Sequence, residues 1–187
     1  MLQKYLNESA DLLKQTANTL AEESMQTAVR LSADALNKNH ALLICGNGGS
    51  ASDAMHITGE LVGRFLKERR ALKAICLSSN PAVLTAWSND YSYETVFSRQ
   101  VEAYGEPGGV VVGLSTSGNS QNVIAALEVA RRIGMTTIGF TGQGGGKMAA
   151  LCDVLLDAPS RSTPMIQQVH ICLYHYYCEA IESAIAA

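Results

Sequence analysis

Residues 41–64 read ALLICGNGGSASDAMHITGELVGR. The apolar run ending at Gly46 has the length of a strand, GNGGS (46–50) is a turn, and the pattern from Ala51 to Phe65 is helical. His56, Glu60 and Arg64 recur at every fourth position, which puts them on one face of that helix. A strand passing through a glycine turn into a helix is half of a βαβ unit, so the rest of the chain is read for the same alternation.

The alternation is there. KAICLS (73–78), GVVVGLS (109–115), MTTIGFTG (135–142) and DVLLDAP (153–159) are further short apolar runs bounded by turn residues. Helical patterns fall between them at 80–87, 95–104 and 121–133, while GQGGGKMAAL leaves room only for a turn and a short helix before the last strand. Near-continuous apolar strands alternating with helices predict an α/β fold with a five-stranded parallel sheet buried on both faces. Before the first strand, residues 2–39 carry Leu6, Leu13, Ala17, Leu20, Met25, Val29 and Leu36 at helical spacing, as one long helix or two in succession. A final helix is expected from Thr163 to Ala187, with Pro164 in its first turn.

The 187 residues, 47% of them hydrophobic, suffice for one domain spanning 1–187 with a substantial core. Fourteen basic against 17 acidic residues, without a basic run, argue against a nucleic-acid partner. No apolar run reaches the roughly 20 residues of a membrane span. The first residues, MLQKYLNESADLLKQ, lack the pattern of a secretory leader. Cys45, Cys76, Cys152, Cys172 and Cys178 are scattered without a CxxC pair and read as buried thiols. A cytoplasmic protein is expected. The first and last helices are too apolar to cover one small sheet, which predicts oligomerisation, with residues 1–39 taking part.

Ligands of open α/β sheets bind beyond the carboxyl ends of the strands. Two loops lie there, GNGGS (46–50) and STSGNS (115–120), and each opens a helix whose unpaired amides favour an anion. Ser115, Thr116, Ser117 and Ser120 add hydroxyls; taken alone, STSGNS reads first as a helix cap with a turn at Gly118, but two such loops one strand apart point to a ligand, and the pair suits a phosphate monoester. Neither loop fits the dinucleotide or NTPase fingerprints.

His56 and Glu60 are spaced as two ligands on one helix face, and Gln167 and His175, eight residues apart, share a face of the last helix. The four could hold a divalent metal, with zinc the natural ion for so small a cluster. Glu60 and His175 could instead be a free acid/base pair, or the residues a solvated stripe and a half-buried histidine. Arg64 either orients Glu60 or meets solvent. His170 lies on another face and is assigned to packing. Trp87 and the tyrosines are assigned to core or subunit contacts, and SND (88–90) places Asp90 in a loop after a short helix, as a sugar ligand or a turn residue.

Taken together, CGNGGSASDAMHITGELVGR, WSNDYSYETVFSRQV, GLSTSGNSQNVIAAL, GFTGQGGGKMA and IQQVHICLYH resemble, in order, segments of the sedoheptulose-7-phosphate (phosphoheptose) isomerases of the sugar isomerase (SIS) family. The resemblance covers essentially the whole chain. It implies a flavodoxin-like three-layer sandwich, a homotetramer with sites near subunit boundaries, and interconversion of sedoheptulose 7-phosphate with D-glycero-D-manno-heptose 7-phosphate for bacterial lipopolysaccharide. It also implies that Ser50, Ser115, Ser117 and Ser120 hold the phosphate and nearby hydroxyls, that Asn47, Asp90 and Thr116 line the sugar, and that Glu60 and His175 are catalytic. Gly48, Gly49, Arg64, Asn89 and Gln167 complete the expected substrate contacts. His56, Glu60, Gln167 and His175 would surround one zinc ion per subunit. The chain departs from the common RIQE stretch of such relatives with MIQQ, so Met165 and Gln168 stand where a cation and an acid would pair. Two noncatalytic alternatives share the serine loop: a regulator like the replication-initiator-associating protein, whose relatives lack the equivalents of Glu60 and His175, and a sugar-phosphate sensor.

Overall fold

The computed structural model describes residues 1–20 and 22–186. The expected strands are β1 (Leu42–Gly46), β2 (Ala74–Cys76), β3 (Val110–Ser115), β4 (Thr136–Thr141) and β5 (Val154–Asp157). Every pairing is parallel, in the order β2-β1-β3-β4-β5. This is the flavodoxin-like order, and it reverses direction between β1 and β3, where a crevice opens past the carboxyl ends of those two strands.

The amino-terminal segment is two helices, α1 (Leu2–Thr19) and α2 (Glu22–Asn37). The others are α3 (Gly49–Val62), α4 (Pro81–Asp90), α5 (Val96–Tyr104), α6 (Gln121–Ile133) and α7 (Thr163–Ala186). Single 3₁₀ turns lie at Tyr93–Thr95 and Gly146–Ala150, the latter being the whole of the short β4 to β5 crossover. Alternation along each strand divides the core into two layers. Leu42, Ile44, Val110, Val112, Ile138 and Phe140 face α2, α3 and α7, where they meet Leu36, Ile57, Tyr174, Tyr177 and Ile181. Leu43, Cys45 and Val111 face the opposite way, against Phe97 and Val101 of α5 and Val123 and Leu127 of α6. Each such side chain contributes about 1.5–3 kcal/mol on burial, which explains why strands this short hold their register.

Two expectations fail here. α3 stops at Val62, with Gly63 as its cap, so Arg64 lies beyond the helix and does not share the face of His56 and Glu60. α4 runs through Asp90, so that residue ends a helix and is not in a loop. The cysteines divide: Cys45, Cys76 and Cys178 are buried, Cys152 is half-buried, and Cys172 is exposed on α7. Burial raises the proton affinity of the first three and of Cys152. Among the described residues, no helix is long and apolar enough to cross a membrane.

The segment after α3 is pinned by a carboxylate. Glu182 of α7, 1% exposed, accepts the amides of Phe65, Leu66 and Lys67 at 2.9, 2.7 and 2.8 Å and pairs with the Arg69 guanidinium at 3.3 Å. Burial pushes its carboxyl up, but the three amides and Arg69 outweigh that and hold it below the ordinary range.

His170 is fully buried against Phe140, its Nε2–H donated to the Thr141 carbonyl at 3.0 Å, so the assignment to packing agrees with its position. Burial lowers its pKa to about 4 from an ordinary value of 6.5, against a smaller upward pull from that carbonyl. Between those values the unfolded chain binds a proton there that the folded chain does not, so stability falls as pH drops through the window. At about 1.4 kcal/mol per pH unit, the loss is about 3 kcal/mol. Chemical denaturation from pH 7 to pH 4 should therefore show a shallower decline for His170→Gln than for the parent chain; equal slopes would refute the assignment.

Candidate active site

The two loops at the switch point meet as the topology requires. Asn47, Gly48, Gly49, Ser50, Ser115, Thr116 and Ser120 line one cavity of about 290 Å³, closed by Leu114 and by Thr163 and Gln167 from α7. Gly118 takes φ +64°, and a Cβ there would run into the Gly145 carbonyl, so the serine loop turns at the one residue that fits. Ser120 occupies the N-cap of α6 but its hydroxyl makes no cap hydrogen bond. It lies 2.9 Å from the Ser115 hydroxyl, which is 3.4 Å from that of Ser117. The serines are thus held by one another at an open helix end, where amides and hydroxyls converge as an anion requires. Of the capping alternative, the turn at Gly118 is present and Ser117 Oγ accepts the Asn119 amide at 3.1 Å, but Ser120 makes no side-chain cap.

Asn47 is fixed on three sides. It exchanges amide hydrogen bonds with Asn122 of α6 at 2.9 Å each way, and its Oδ1 also accepts the Tyr93 hydroxyl at 2.7 Å. One Nδ2 proton is left for a ligand. Neither Asn122 nor Tyr93 was singled out from sequence, because nothing local ties them to a loop 46 or 75 residues away.

Beside the cavity, α3 and α7 bring His56, Glu60 and His175 together, with one ligand atom from each within 4.8 Å of the others. His56 Nε2 lies 3.0 Å from Glu60 Oε1, and its Nδ1 lies 2.9 Å from the Tyr174 hydroxyl. The rings of His56 and His175 meet edge to face at 5.0 Å, and Phe65 stacks on His175 at 5.8 Å. Phe65 is there because Glu182 holds its amide. Arg69 Nη2 also reaches the Glu60 carbonyl oxygen at 2.7 Å, an anchoring part expected of Arg64. Arg64 instead pairs with exposed Glu68 at 3.2 Å.

Asp53, one turn before His56, is 7% exposed, and its Oδ2 has no hydrogen-bond partner among the described residues. Burial raises its pKa to about 6, opposed by nearby His56 and by the Tyr174 hydroxyl. Tyr174 is pushed upward in turn, by burial first and by Asp53 next. Tyr174 is buried as its assignment to the core expects, with its hydroxyl on His56, whereas Asp53 is not singled out from sequence although its three-residue step to His56 is a usable signal.

The remaining expected residues stand further off. Ser117 faces a second polar cleft of about 230 Å³ with Asn119, Gln143 and Arg161. Asn89 and Asp90 are exposed at the end of α4, hydrogen-bonded to each other at 2.8 Å. Met165 and Gln168 turn away from the cluster towards α1, against Ser9 and the Tyr5 hydroxyl.

Two imidazoles and a carboxylate converging in this way are a donor set that suits zinc, and the Tyr174 hydroxyl 2.9 Å from His56 Nδ1 is an outer partner of the kind metal-bound histidines use. The residues fit the ion. The amide of Gln167, two turns before His175, lies against Gly49 on the cavity wall.

Residues 4–142 match the family model described as the SIS domain. A phosphoheptose isomerase from Desulfovibrio desulfuricans is 55% identical over 154 residues, covering 82% of this chain and 73% of its own length. The solved phosphoheptose isomerase of Neisseria gonorrhoeae superposes with a TM-score of 0.90 at 40% identity, over 98% of this chain and 100% of its own. That of Francisella tularensis gives 0.93 at 32% identity, over 97% and 96%.

If the serines serve a ligand and not the helix, Ser120→Ala should leave thermal stability within about 0.5 kcal/mol, whereas losing a cap costs about 1 kcal/mol. The same change should weaken binding of a phosphate monoester by about tenfold in calorimetric titration. A destabilised variant with unchanged binding would restore the capping role.

Proposed function

This chain belongs to the SIS-domain family, among the phosphoheptose isomerases, and on that premise we propose that it interconverts sedoheptulose 7-phosphate and D-glycero-D-manno-heptose 7-phosphate through an enediolate. It is an isomerase acting on a heptose phosphate. The observation that carries the mechanism is the convergence of Glu60 and His175 beside the serine-lined cavity.

Moving a carbonyl between C1 and C2 requires a base that takes a proton from one carbon and returns it to the next, together with proton movement between the two oxygens. Glu60 makes the carbon transfer in this reading. His56 occupies its Oε1, which leaves Oε2 to act as the base. His175, its ring set between Phe65 and His56, opens the sugar ring and carries protons between O1 and O2. Ser50, Ser115 and Ser120 with the first-turn amides of α6 bind the phosphate, Ser117 supports the Ser115 hydroxyl from its own cleft, and Asn47 and Thr116 line the sugar chain. Arg64, Asn89 and Asp90 contact the substrate only if a neighbouring subunit completes the site at their exposed surface. His56, Glu60, Gln167 and His175 would hold a zinc ion, which when bound would supply Lewis-acid polarisation of the substrate oxygens.

A homotetramer fits the apolar surface. α1 exposes Leu2, Tyr5 and Leu6, and an open groove runs between α1, α2 and α7 past Leu13, Leu20, Met25 and Leu173. The assembly would work in the cytoplasm, supplying heptose for lipopolysaccharide. Equilibrium sedimentation should return about four times the 19.9 kDa chain mass; a monomer would refute the assembly.

Incubation with sedoheptulose 7-phosphate should yield the aldose, and no turnover with or without added zinc would reject the activity. Glu60→Gln should lower kcat by about 10²–10⁴-fold while leaving KM and binding of the phosphate ester nearly unchanged. A parallel collapse of affinity would assign Glu60 to binding.

A further inference from the structure

An amide side chain presents an oxygen on one side and two protons on the other, and its partners decide which way it faces. The Val123 N–H can only donate, and Asn122 turns its Oδ1 to it at 3.0 Å. That orientation fixes the next amide. Asn122 Oδ1 accepts one Nδ2 proton of Asn47, and Asn122 Nδ2 donates back to Asn47 Oδ1, at 2.9 Å each. The Tyr93 hydroxyl donates to the second lone pair of Asn47 Oδ1 at 2.7 Å. Turning the pair over would set an Asn122 N–H against the Val123 N–H. Asn47 therefore has no acceptor left and one free Nδ2 proton, on a side chain that lines the serine cavity.

We infer that Asn122 and Tyr93 are positioning residues that lock Asn47 as a one-proton donor, so that the cavity selects a ligand with an acceptor oxygen at that point, from a phosphate or from a sugar hydroxyl. This rests on the sugar-phosphate reading above. An unlocked Asn turns its amide to suit a donor or an acceptor alike. The locked one cannot, and a group that offers only protons, such as an ammonium, meets another proton there. Neither positioning residue lines the cavity itself. Asn122 is 3% exposed in the first turn of α6, and Tyr93 stands on the 3₁₀ turn after α4. Because Val123 belongs to that same first turn, one helix end sets both the amides that favour an anion and the donor beside them.

The test titrates the full-length chain calorimetrically with heptitol 7-phosphate, the borohydride-reduced ketose, which keeps the hydroxyls and the phosphate but has no carbonyl to enolise. Asn47→Ala and Asn122→Ala should each weaken binding by about tenfold, and Tyr93→Phe, which loses only the hydroxyl, by about threefold. With Asn47→Ala already in place, either further change should alter affinity by less than about 1.5-fold, because both act through that amide. In turnover of sedoheptulose 7-phosphate, KM should rise by the same factors while kcat stays within about twofold. A purely structural role would add its full weakening in the Asn47→Ala chain. That result, or parent affinity in both Asn122→Ala and Tyr93→Phe, overturns the lock. Circular dichroism shows whether Asn122→Ala folds, and the Tyr93→Phe cycle decides the question without it. Parallel titrations with inorganic phosphate identify the oxygen: weakening there assigns it to the phosphate and unchanged binding assigns it to the sugar, and either result upholds the lock. A parent chain that binds heptitol 7-phosphate but turns over no ketose removes the isomerase reading and leaves the lock standing; one that binds neither probe overturns both.

Discussion

The site exists because α7 lies across α3 on one face of the sheet, with Tyr174 buried where they meet. Tyr174, Tyr177, Cys178 and Ile181 enter the core beside Ile44, Phe140 and Ile57, and that burial fixes the rotation of α7 about its axis. His175 follows Tyr174 by about 100° around the helix, so its direction is set by its neighbour's packing. The Tyr174 hydroxyl then reaches His56 on α3 and orients the partner of Glu60. Weakening this contact would cost more than stability, since His56, Glu60 and His175 take their bearings from it.

A second constraint fixes the wall of the site. Glu182 and Arg69 are both buried, and their ion pair is retained at a desolvation cost that hydrophobic residues would avoid. The return is geometric. By accepting three consecutive amides, Glu182 holds the chain after α3 in one conformation, and that conformation delivers Phe65 to the face of His175. The serine-lined cavity holds no such buried charge. There the switch in strand order brings two helix amino-termini together, with backbone amides and serine hydroxyls around one space.

Much of this was legible in the residues. The five strands follow from apolar runs whose length and turn boundaries leave little choice, and α6 begins and ends at Gln121 and Ile133 as its periodicity requires. His56, Glu60 and His175 stood out because polar groups spaced by whole turns share a face whatever the fold. Arg64 shows the limit of that argument. Its spacing continued the stripe, but Gly63 let the chain leave the helix, drawn by the amide acceptors of Glu182, which lies more than a hundred residues away. Asp90 misled in the opposite sense: SND resembles a turn, yet Asn80 caps α4 strongly enough, with two side-chain bonds to its first-turn amides, for the helix to continue through it.

What the sequence alone determined was periodic and local: which segments are strands and helices, which loops end at the carboxyl edge of the sheet, and which reactive groups share a helix face. Tertiary structure decided which faces meet. The pairing of α3 with α7, the turning of the serine hydroxyls away from capping, the locking of Asn47 by Asn122 and Tyr93, and the burial of Asp53 behind His56 all join residues far apart in the chain. Such contacts follow from how the two helical layers fill the faces of the sheet, and close packing imposes that as a whole, without a signature at any one residue.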